Sequence, residues 1–427
     1  MNFYYEFIIQ GDFMKILVIG NGGREHAIAW KLGESDKVSK IYCAPGNGGT
    51  SMEHKCENIN LTDNDKLLNF ALENSIDLTV VGPEVYLCNG IVDLFKSHNL
   101  KIFGPSKKAA TLEGSKTFAK EFMKKYGVKT AAYEAFKDSK KALEYLEKAE
   151  YPIVIKADGL AAGKGVVIAE TKEEGILAIN DFMVNDTFGG AGKEIIIEEF
   201  LPGVEASILS ITDGNTIIPF ISSKDHKTIF EDNKGPNTGG MGTVAPNPYC
   251  NESVLKAFKE DILKPTLKGI QEENLDYIGI IFFGLMICEK GVYLLEYNVR
   301  MGDPETQVVL PLMESYFIDI IEAAIEGKLS DDIVKFKNKT ACCVIGSSKG
   351  YPGRYEKGEL ITGIDSCSEK VFIAGADSIY NKLITNGGRV LGVTALGDNL
   401  EEAREKAYKG ILQVNFNGMY YRKDIGK

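Results

Sequence analysis

The run Asp225-His-Lys-Thr-Ile-Phe-Glu-Asp-Asn-Lys-Gly-Pro-Asn-Thr-Gly-Gly-Met-Gly242 gathers an acid, an imidazole, an ammonium and a glycine-rich turn in a segment without helical or strand periodicity. Its second half reads as a nest of successive backbone N–H groups facing an anion, with Asp225, His226 and Lys227 supplying an acid, a titratable group and a cation beside it. An ordinary Gly- and Pro-punctuated surface loop is the competing reading. The active-site reading is preferred because a second dense run follows, Leu295-Glu-Tyr-Asn-Val-Arg-Met-Gly-Asp-Pro-Glu-Thr306. On a strand, Glu296, Asn298 and Arg300 fall on one face by period-two alternation. Two hard oxygen donors two residues apart suit Mg²⁺ bridging nucleotide phosphates, with Arg300 left for a further anion. A salt-bridged strand end is the alternative, and it leaves Asn298 without a purpose.

Three further turns have the chemistry of anion sites. Gly20-Asn-Gly-Gly-Arg-Glu-His26, Ala44-Pro-Gly-Asn-Gly-Gly49 and Gly82-Pro-Glu84 each follow a short apolar run. The first begins like a dinucleotide fingerprint, but Glu25 stands at the third glycine position and no acid follows the second strand for a ribose hydroxyl. That sets an NAD-dependent oxidoreductase aside and leaves a helix N-terminus for a phosphate monoester, with Arg24 adding charge. A purely structural tight turn is the alternative. Tyr151 to Ala169 reads as two strands joined by a Gly-rich hairpin, Gly159 to Gly165 around Lys164, without the G-K-[ST] ending or following helix of a P-loop. Such a hairpin acts as a lid over phosphates, with Lys156 neutralising them from a strand where an unpaired ammonium is costly. Beyond the strand Glu194 to Ile197, the extended segment Glu198 to Glu205 has free backbone for an adenine edge, and Glu205 an acceptor for ribose hydroxyls.

The elements that must position these groups follow from periodicity. Strands at Lys15–Ile19, Lys40–Cys43, Leu78–Val81 and Ile102–Phe103, with a helix at Arg24–Leu32, predict a parallel sheet with ligands at its carboxyl edge. A helix Ser115–Tyr126, a strand Thr130–Ala135 and a helix Ser139–Lys148 precede the lid. Strands at Ser207–Thr212, Ile217–Ile221, Ile278–Cys288 and Val292–Val299 and a helix Ser315–Glu326 follow it. The remainder is β-rich, with strands at Ala341–Ile345 and Val390–Thr394 and a closing helix Leu400–Ile411. Lys349–Gly353 and Thr385–Arg389 read as plain hairpin turns.

At 427 residues the chain is long for one core, and about two to four domains are expected. The net charge of −11 gives no basic footprint for nucleic acid. The longest apolar stretch, Ile278 to Cys288, falls well short of the roughly 20 residues needed to span a bilayer. Eight cysteines without a CxxC pair read as small buried hydrophobes of a reducing cytoplasm. Met1 to Phe13 has no charged n-region or cleavage site, and an upstream start codon and a genuine extension both fit it.

From Met14 onward the chain resembles the phosphoribosylamine–glycine ligase (glycinamide ribonucleotide synthetase) family of the ATP-grasp superfamily. The resemblance rests on Gly20-Asn-Gly-Gly-Arg-Glu-His-Ala27, Asp225-His-Lys227, Gly235-Pro-Asn-Thr-Gly-Gly-Met-Gly242 and Glu296-Tyr-Asn-Val-Arg-Met-Gly-Asp-Pro-Glu305, in that order. It implies an α/β multidomain fold: a Rossmann-like domain over 14–115, an ATP-grasp domain over 116–330 with a lid over about 136–204, and a small β-rich domain over 331–427. It implies joining of glycine to 5-phosphoribosylamine with ATP as co-substrate and Mg²⁺ or Mn²⁺ as the metal, through glycyl phosphate. Lys116 and Lys156 would then contact ATP phosphates, with Gly163, Lys164 and Gly165 in the lid. Glu198, Glu199 and Leu201 would hold adenine, Glu205 the ribose, and Glu296 and Asn298 the metal. Gly22, Gly23, Arg24, Asn47 and Glu84 would hold phosphoribosylamine. Asp225, Lys227 and Arg300 would surround the reacting groups, together with Asn237, Thr238, Gly239, Gly240, Met241, Gly242, Asp303 and Pro304.

The chain departs from the family pattern in three places. Ile278–Cys288 lacks the acid that many ATP-grasp enzymes carry on the strand before the metal strand, Val371–Gly375 lacks a usual His, and Tyr86 stands where Pro is usual. Another ATP-grasp carboxylate–amine ligase of purine metabolism is the nearest rival, opposed by the Asp225–Lys227 and Gly235–Gly242 runs. A nucleotide-binding regulator without turnover is opposed by intact Lys156, Glu296, Asn298 and Arg300. A cytoplasmic monomer without nucleic-acid or membrane partners is expected.

Overall fold

The computed structural model describes residues 13–161 and 165–427; of the expected features, Met1–Asp12 and the lid residues Gly163 and Lys164 lie outside these. The strands β1 (Met14–Gly20), β2 (Val38–Pro45), β3 (Cys56–Asn58), β4 (Leu78–Val81) and β5 (Ile102–Phe103) form one parallel sheet in the order β3-β2-β1-β4-β5. β4 is buried along its whole length and β1 over its last five residues, as expected of central parallel strands covered on both faces. The turns after β1, β2 and β4 therefore share the carboxyl edge, where an open α/β sheet binds ligands.

The lid sheet is antiparallel, built from β6 (Tyr133–Phe136), β7 (Ile153–Ala157), β8 (Val166–Ala169) and β9 (Ile195–Glu199) in the order β6-β9-β7-β8. It has a hydrophobic core of its own, in which Ile153, Ile155 and Ile195 pack on Ala142, Leu146 and Phe182. The strand expected from Thr130 begins later, because Thr130 instead makes an isolated bridge to Leu294. A second antiparallel sheet, the floor sheet, begins with β10 (Val204–Thr212) and β11 (Ile217–Pro219) and is completed by later strands.

The segment read as a loop is folded, which corrects the sequence reading. It contains β12 (Lys224–Asp225), β13 (Thr228–Phe230), β14 (Lys234–Asn237) and the start of β15 (Gly242–Ala245), with β13 and β14 paired as a hairpin. These strands are too short to leave a period-two signature. The floor sheet then closes with β16 (Gly279–Cys288) and β17 (Gly291–Asn298), in the order β11-β10-β16-β17. A bulge at Leu295 separates the pairs Leu285 with Leu294 and Gly284 with Glu296, so Leu294 and Tyr297 both face the core. Beyond it, Glu296, Asn298 and Arg300 share the opposite face, as alternation predicts.

The last sheet joins β12 and β15 to β18 (Thr340–Ser348), β19 (Lys370–Ile373), β22 (Arg389–Gly397) and β23 (Met419–Tyr420), with the hairpin β20 (Ala376–Ile379) and β21 (Lys382–Thr385) beside it. Two of its strands thus come from the middle of the sequence, flanking the hairpin β13–β14. The helix Leu400–Ile411, capped by the Asn399 side chain, packs on it. Several helices escape the periodicity reading, among them Lys107–Gly114 and Lys172–Ile179, and two have an evident reason. Thr306–Leu312 is buried on all sides and contains Pro311, and in the run Glu252–Glu272 a π-turn at Lys259–Leu263 shifts the phase. The cysteines meet the expectation in part: Cys43, Cys342 and Cys343 are buried, the other five are half-buried, and all eight are free thiols.

Candidate active site

Cations converge on one carboxylate where lid, floor and amino-terminal sheet meet. Burial alone would raise the Glu296 carboxyl, but Lys227, Lys156, Lys116 and Arg300 together hold it below the usual carboxylate range. Lys116 opens the helix Lys116–Tyr126, Lys156 lies on β7, and Lys227 precedes β13. Three of these cations also have carboxylate partners of their own, Lys156 with Glu198, Lys227 with Glu205 and Arg300 with Glu84 and Glu113, so the site is a dense network of alternating charge that phosphate oxygens can enter by exchanging partners. Arg300 Nη2 also donates to Asn298 Oδ1 at 2.9 Å, so the amide carbonyl faces the same space as Glu296.

The lid is hinged to this cluster through Asp158. Its carboxylate accepts from Thr117 N (2.7 Å) and Ser115 Oγ (3.0 Å), its carbonyl from Lys116 N (3.2 Å), and Lys116 Nζ donates to the Gly159 carbonyl (3.2 Å). Lys156 is buried and paired, Nζ 3.0 Å from Glu198 Oε2. Lys120, one turn after Lys116, approaches the other Glu198 oxygen at 3.2 Å and donates to Thr130 Oγ1 at 2.6 Å. The Glu198 side chain is thus engaged with two lysines and unavailable to adenine; only its backbone stays eligible. Glu199 Oε1 accepts from Ala132 N at 2.8 Å and its own N–H donates to Ala132 O, which ties that residue to the sheet as well. Leu201 lies just beyond the end of β9. Glu205, read as a ribose acceptor, pairs with Lys227 at 2.6 Å.

The glycine-rich turn is no anion nest. Thr238 N donates to Lys227 O (2.7 Å), Gly239 N to Tyr351 Oη (3.0 Å), Gly240 N to Thr238 Oγ1 (2.9 Å) and Met241 N to His226 O (2.9 Å). The turn spends its amides closing on itself, with Met241 in the core and Gly242 paired into the carboxy-terminal sheet, while Asn237 is exposed. What it presents instead is Asp225. Gly240 adopts φ +113°, and a Cβ there would stand 2.5 Å from both Asp225 Oδ1 and Pro304 Cδ. Asp225 Oδ1 is buried without a hydrogen-bond partner, and burial together with the nearby Glu305 charge raises its carboxyl well above the ordinary range. His226 is not a titrating partner: Gly426 N donates to Nε2 (3.1 Å), so Nδ1 carries the proton and donates to Gly242 O (3.1 Å). Burial brings its pKa down to about 4, so it is neutral near pH 7.

Arg389 closes the site from the carboxy-terminal sheet. Its Nη1 donates to Gly239 O (2.5 Å) and Asp303 O (2.8 Å) and stands 3.4 Å from Asp303 Oδ1. Asp303 also accepts from Gln307 Nε2 at 2.9 Å.

In the amino-terminal turns the structure corrects three readings. Glu25 reaches back from the first turn of its helix and accepts from Gly22 N (2.6 Å), the glutamate half of a capping box, which occupies an amide a phosphate would need. Arg24 is buried, with Nε 2.5 Å from Glu25 Oε1 and Nη1 donating to Met301 O, so it is not free to add charge. Asn47 is equally committed: Nδ2 donates to Asn21 O, Gly22 O and Ile373 O, while Oδ1 accepts from Gly49 N and Thr50 N. Gly23 leaves no room for a side chain beside Gln307. Glu84, by contrast, faces the cluster, with Oε2 3.1 Å from Arg300 Nε. Arg300 Nη2 lies 2.8 Å from Glu113, whose carboxyl burial raises to about 7 against the pull of Arg300.

Lys120, Glu113, Asp158 and Arg389 are the site residues that sequence reasoning missed. The i, i+4 spacing of Lys116 and Lys120 was a usable signal; nothing in the turn Thr385–Arg389 pointed to Asp303.

Three family models match consecutive parts of this chain, all described as phosphoribosylglycinamide synthetase: the N domain over residues 14–113, the ATP-grasp (A) domain over 114–306 and the C domain over 341–427. The chain belongs to the phosphoribosylglycinamide synthetase family. A relative called phosphoribosylamine–glycine ligase in Clostridium acetobutylicum is 63% identical over 414 residues, covering 97% of this chain and 100% of the relative. Another of that name in Fusobacterium nucleatum is 54% identical over 418 residues, covering 97% and 98%. The crystal structure of phosphoribosylamine–glycine ligase from Thermotoga maritima matches with a TM-score of 0.86 at 35% identity, covering 96% of this chain and 100% of that one. A biotin carboxylase domain of Hydrogenobacter thermophilus 2-oxoglutarate carboxylase, solved with MgADP, shares the fold alone, with a TM-score of 0.71 at 17% identity over 96% of this chain and 92% of that one.

Enzymes of the ATP-grasp type use ATP with a divalent metal, and the synthetase site here fits such an ion. Among the described residues no three His, Cys, Asp or Glu side chains form a cage. The ionised Glu296 and the Asn298 carbonyl are oxygen donors only, so phosphate oxygens and water would complete the shell, the usual arrangement for Mg²⁺ at nucleotide sites. No helix among the described residues is long and apolar enough to cross a membrane.

Proposed function

We propose that this chain joins glycine to 5-phosphoribosylamine, with ATP going to ADP and phosphate, and that the cluster around Glu296 is where the γ-phosphoryl group is transferred. The observation that carries the reading is the convergence of Lys116, Lys156, Lys227 and Arg300 on Glu296 in a member of the synthetase family. A glycine carboxylate oxygen attacks the γ-phosphorus and the bond to the ADP oxygen breaks, giving glycyl phosphate. The phosphoribosylamine nitrogen then attacks the acyl carbon, phosphate leaves, and the nitrogen loses a proton, giving glycinamide ribonucleotide.

Lys116 and Lys156 neutralise the phosphates, and Lys227 and Arg300 hold the acyl phosphate and its precursors in line, so positioning and charge do most of the work. Asp225, raised and unpaired at Oδ1, is placed to hold or take a proton at a substrate nitrogen. Glu84 faces the ribose side through Arg300. A divalent cation, Mg²⁺ or Mn²⁺, held by Glu296 and Asn298 would add charge neutralisation to the phosphates. The backbone from Glu198 to Leu201 frames adenine, and Gly159–Gly165 covers the phosphates. The working unit is a monomer of the cytoplasm, divided at about residues 115 and 330.

The test is phosphate release from ATP with Mg²⁺, glycine and freshly generated phosphoribosylamine, omitting each in turn and weighing the product. Release that needs both substrates and yields glycinamide ribonucleotide supports the proposal. Turnover indifferent to glycine would move the function to a sister ATP-grasp ligase.

A further inference from the structure

The hairpin β13–β14, which follows Lys227 and precedes Thr238, has almost no core of its own. All of β14 is exposed, Phe230 is half exposed, and of the residues in β13 only Ile229 is buried. A lone two-stranded hairpin is marginal in water, so something else must fix its position. Residues 420–426 do so. Arg422 is buried at 1% exposure, and its Nη1 donates to both Thr228 O (3.0 Å) and Thr228 Oγ1 (2.9 Å). Its Nε and Nη2 grip Asp424 at 2.8 and 2.6 Å, and the same carboxylate accepts from Asp232 N at 2.9 Å, at the hairpin's tip. Lys423 N donates to Glu231 Oε1, and Gly426 N to His226 Nε2. Phe230 meets the edge of Tyr420 at 6.4 Å.

We propose that Arg422 is a positioning residue for the ligation step, fixing through Thr228 and Asp424 the hairpin that leads on directly from Lys227 and so aims that ammonium beside Asp225. A buried guanidinium with all three nitrogens engaged is an expensive way to fill space, since an apolar side chain of similar volume packs without desolvating a charge. What the planar fork adds is direction: it ties two segments lying 194 positions apart in one fixed geometry. A displacement of about 1 Å in a catalytic group is enough to lower a rate by up to about a hundredfold.

The proposal rests on the reading of Asp225 and Lys227 as active-site residues, and the experiment separates the two. In the full chain, Arg422→Lys, Thr228→Val and Lys227→Met are compared with wild type for kcat, for KM of ATP and glycine, and for thermal unfolding. Arg422→Lys is expected to lower kcat about tenfold and to raise KM for glycine, with KM for ATP unchanged, and Thr228→Val to shift the same parameters about threefold. Should Arg422→Lys fail to fold, Thr228→Val, on the half-buried edge of the hairpin, decides the matter. A lower unfolding temperature with wild-type kcat and KM in the folded molecules would make Arg422 a stabilising residue only and overturn the proposal. Loss of activity in Lys227→Met beside unaltered Arg422→Lys and Thr228→Val overturns it alone, whereas full activity in Lys227→Met removes the site reading and the proposal with it.

Discussion

Lys156 and Glu198 lie on the same face as diagonal neighbours of adjacent antiparallel strands, Nζ 3.0 Å from Oε2, with the Lys120 ammonium 3.2 Å from the second oxygen. One buried carboxylate therefore balances two lysines, and it sets where Lys156 points. Burial brings Lys120 down to about 8 against the pull of Glu198. Glu198→Gln leaves two ammonium groups without their counter-charge, a change that costs about 3–5 kcal/mol when a buried pair is broken. The expected outcome is a lower unfolding temperature together with weaker binding of a non-hydrolysable ATP analogue, read by calorimetric titration. Unchanged nucleotide affinity in folded Glu198→Gln would detach this trio from ATP binding.

Lys116, Lys156, Lys227 and Arg300 all act on the Glu296 carboxylate and hold it ionised. Glu296→Ala is expected to reduce metal-dependent phosphate release on the order of a hundredfold or more, the scale of losing a preorganised electrostatic group. Chelation of divalent cations is expected to abolish turnover in the wild type. Retention of full activity in Glu296→Ala would sink its assignment as metal ligand.

Arg389 donates to two backbone carbonyls, Gly239 and Asp303, from one nitrogen, and its charge also acts on Asp225 and Glu305. Lysine ends in a strongly hydrated point charge on a flexible stem and lacks the pre-organised guanidinium that holds Nη1 between these carbonyls. Arg389→Lys is expected to lower kcat about tenfold and Arg389→Met further, because the turn that walls Asp225 loses its anchor. Steady-state kinetics on both variants, with circular dichroism to confirm folding, provide the check, and wild-type kcat in Arg389→Met would contradict the role.

His226 yields a pH dependence of stability. Its folded pKa is depressed to about 4 from an ordinary 6.5, so between these values the unfolded chain binds the proton and the native state does not. The contribution is fully present above pH 6.5 and is lost as pH falls through 4. The shift corresponds to about 3 kcal/mol. Urea unfolding of wild type and His226→Asn between pH 7.5 and 4.5 is expected to show a steeper acid loss in the wild type; parallel curves would mean that His226 titrates normally.

Much of this molecule was legible without coordinates. The parallel amino-terminal sheet followed from short β-branched runs alternating with helical spacing, and β1, β4 and β5 fall close to where that pattern predicts. The common face of Glu296, Asn298 and Arg300 followed from alternation, since the bulge at Leu295 precedes all three. Where the reading failed, the failure was one of partners. Gly239, Gly240 and Met241 had the composition of an anion nest, but their amides are spent on Tyr351, Thr238 and His226. Arg24 and Asn47 had the right chemistry at the right turn and are consumed by Glu25, Met301, Ile373 and neighbouring backbone.

The residue types at each turn, the period of each strand and the absence of a basic footprint are local properties, and local sterics and side-chain chemistry fix them in the sequence. Which lysine meets which carboxylate is not local. Arg389 reaches Asp303, Arg422 reaches Thr228 and Lys120 reaches Glu198 only because distant strands are brought into register by burial of the cores beneath them. Burial also decides charge: the same carboxyl chemistry leaves Glu296 ionised amid four cations and raises Asp225 beside Glu305, a difference set by neighbours that only the folded chain supplies.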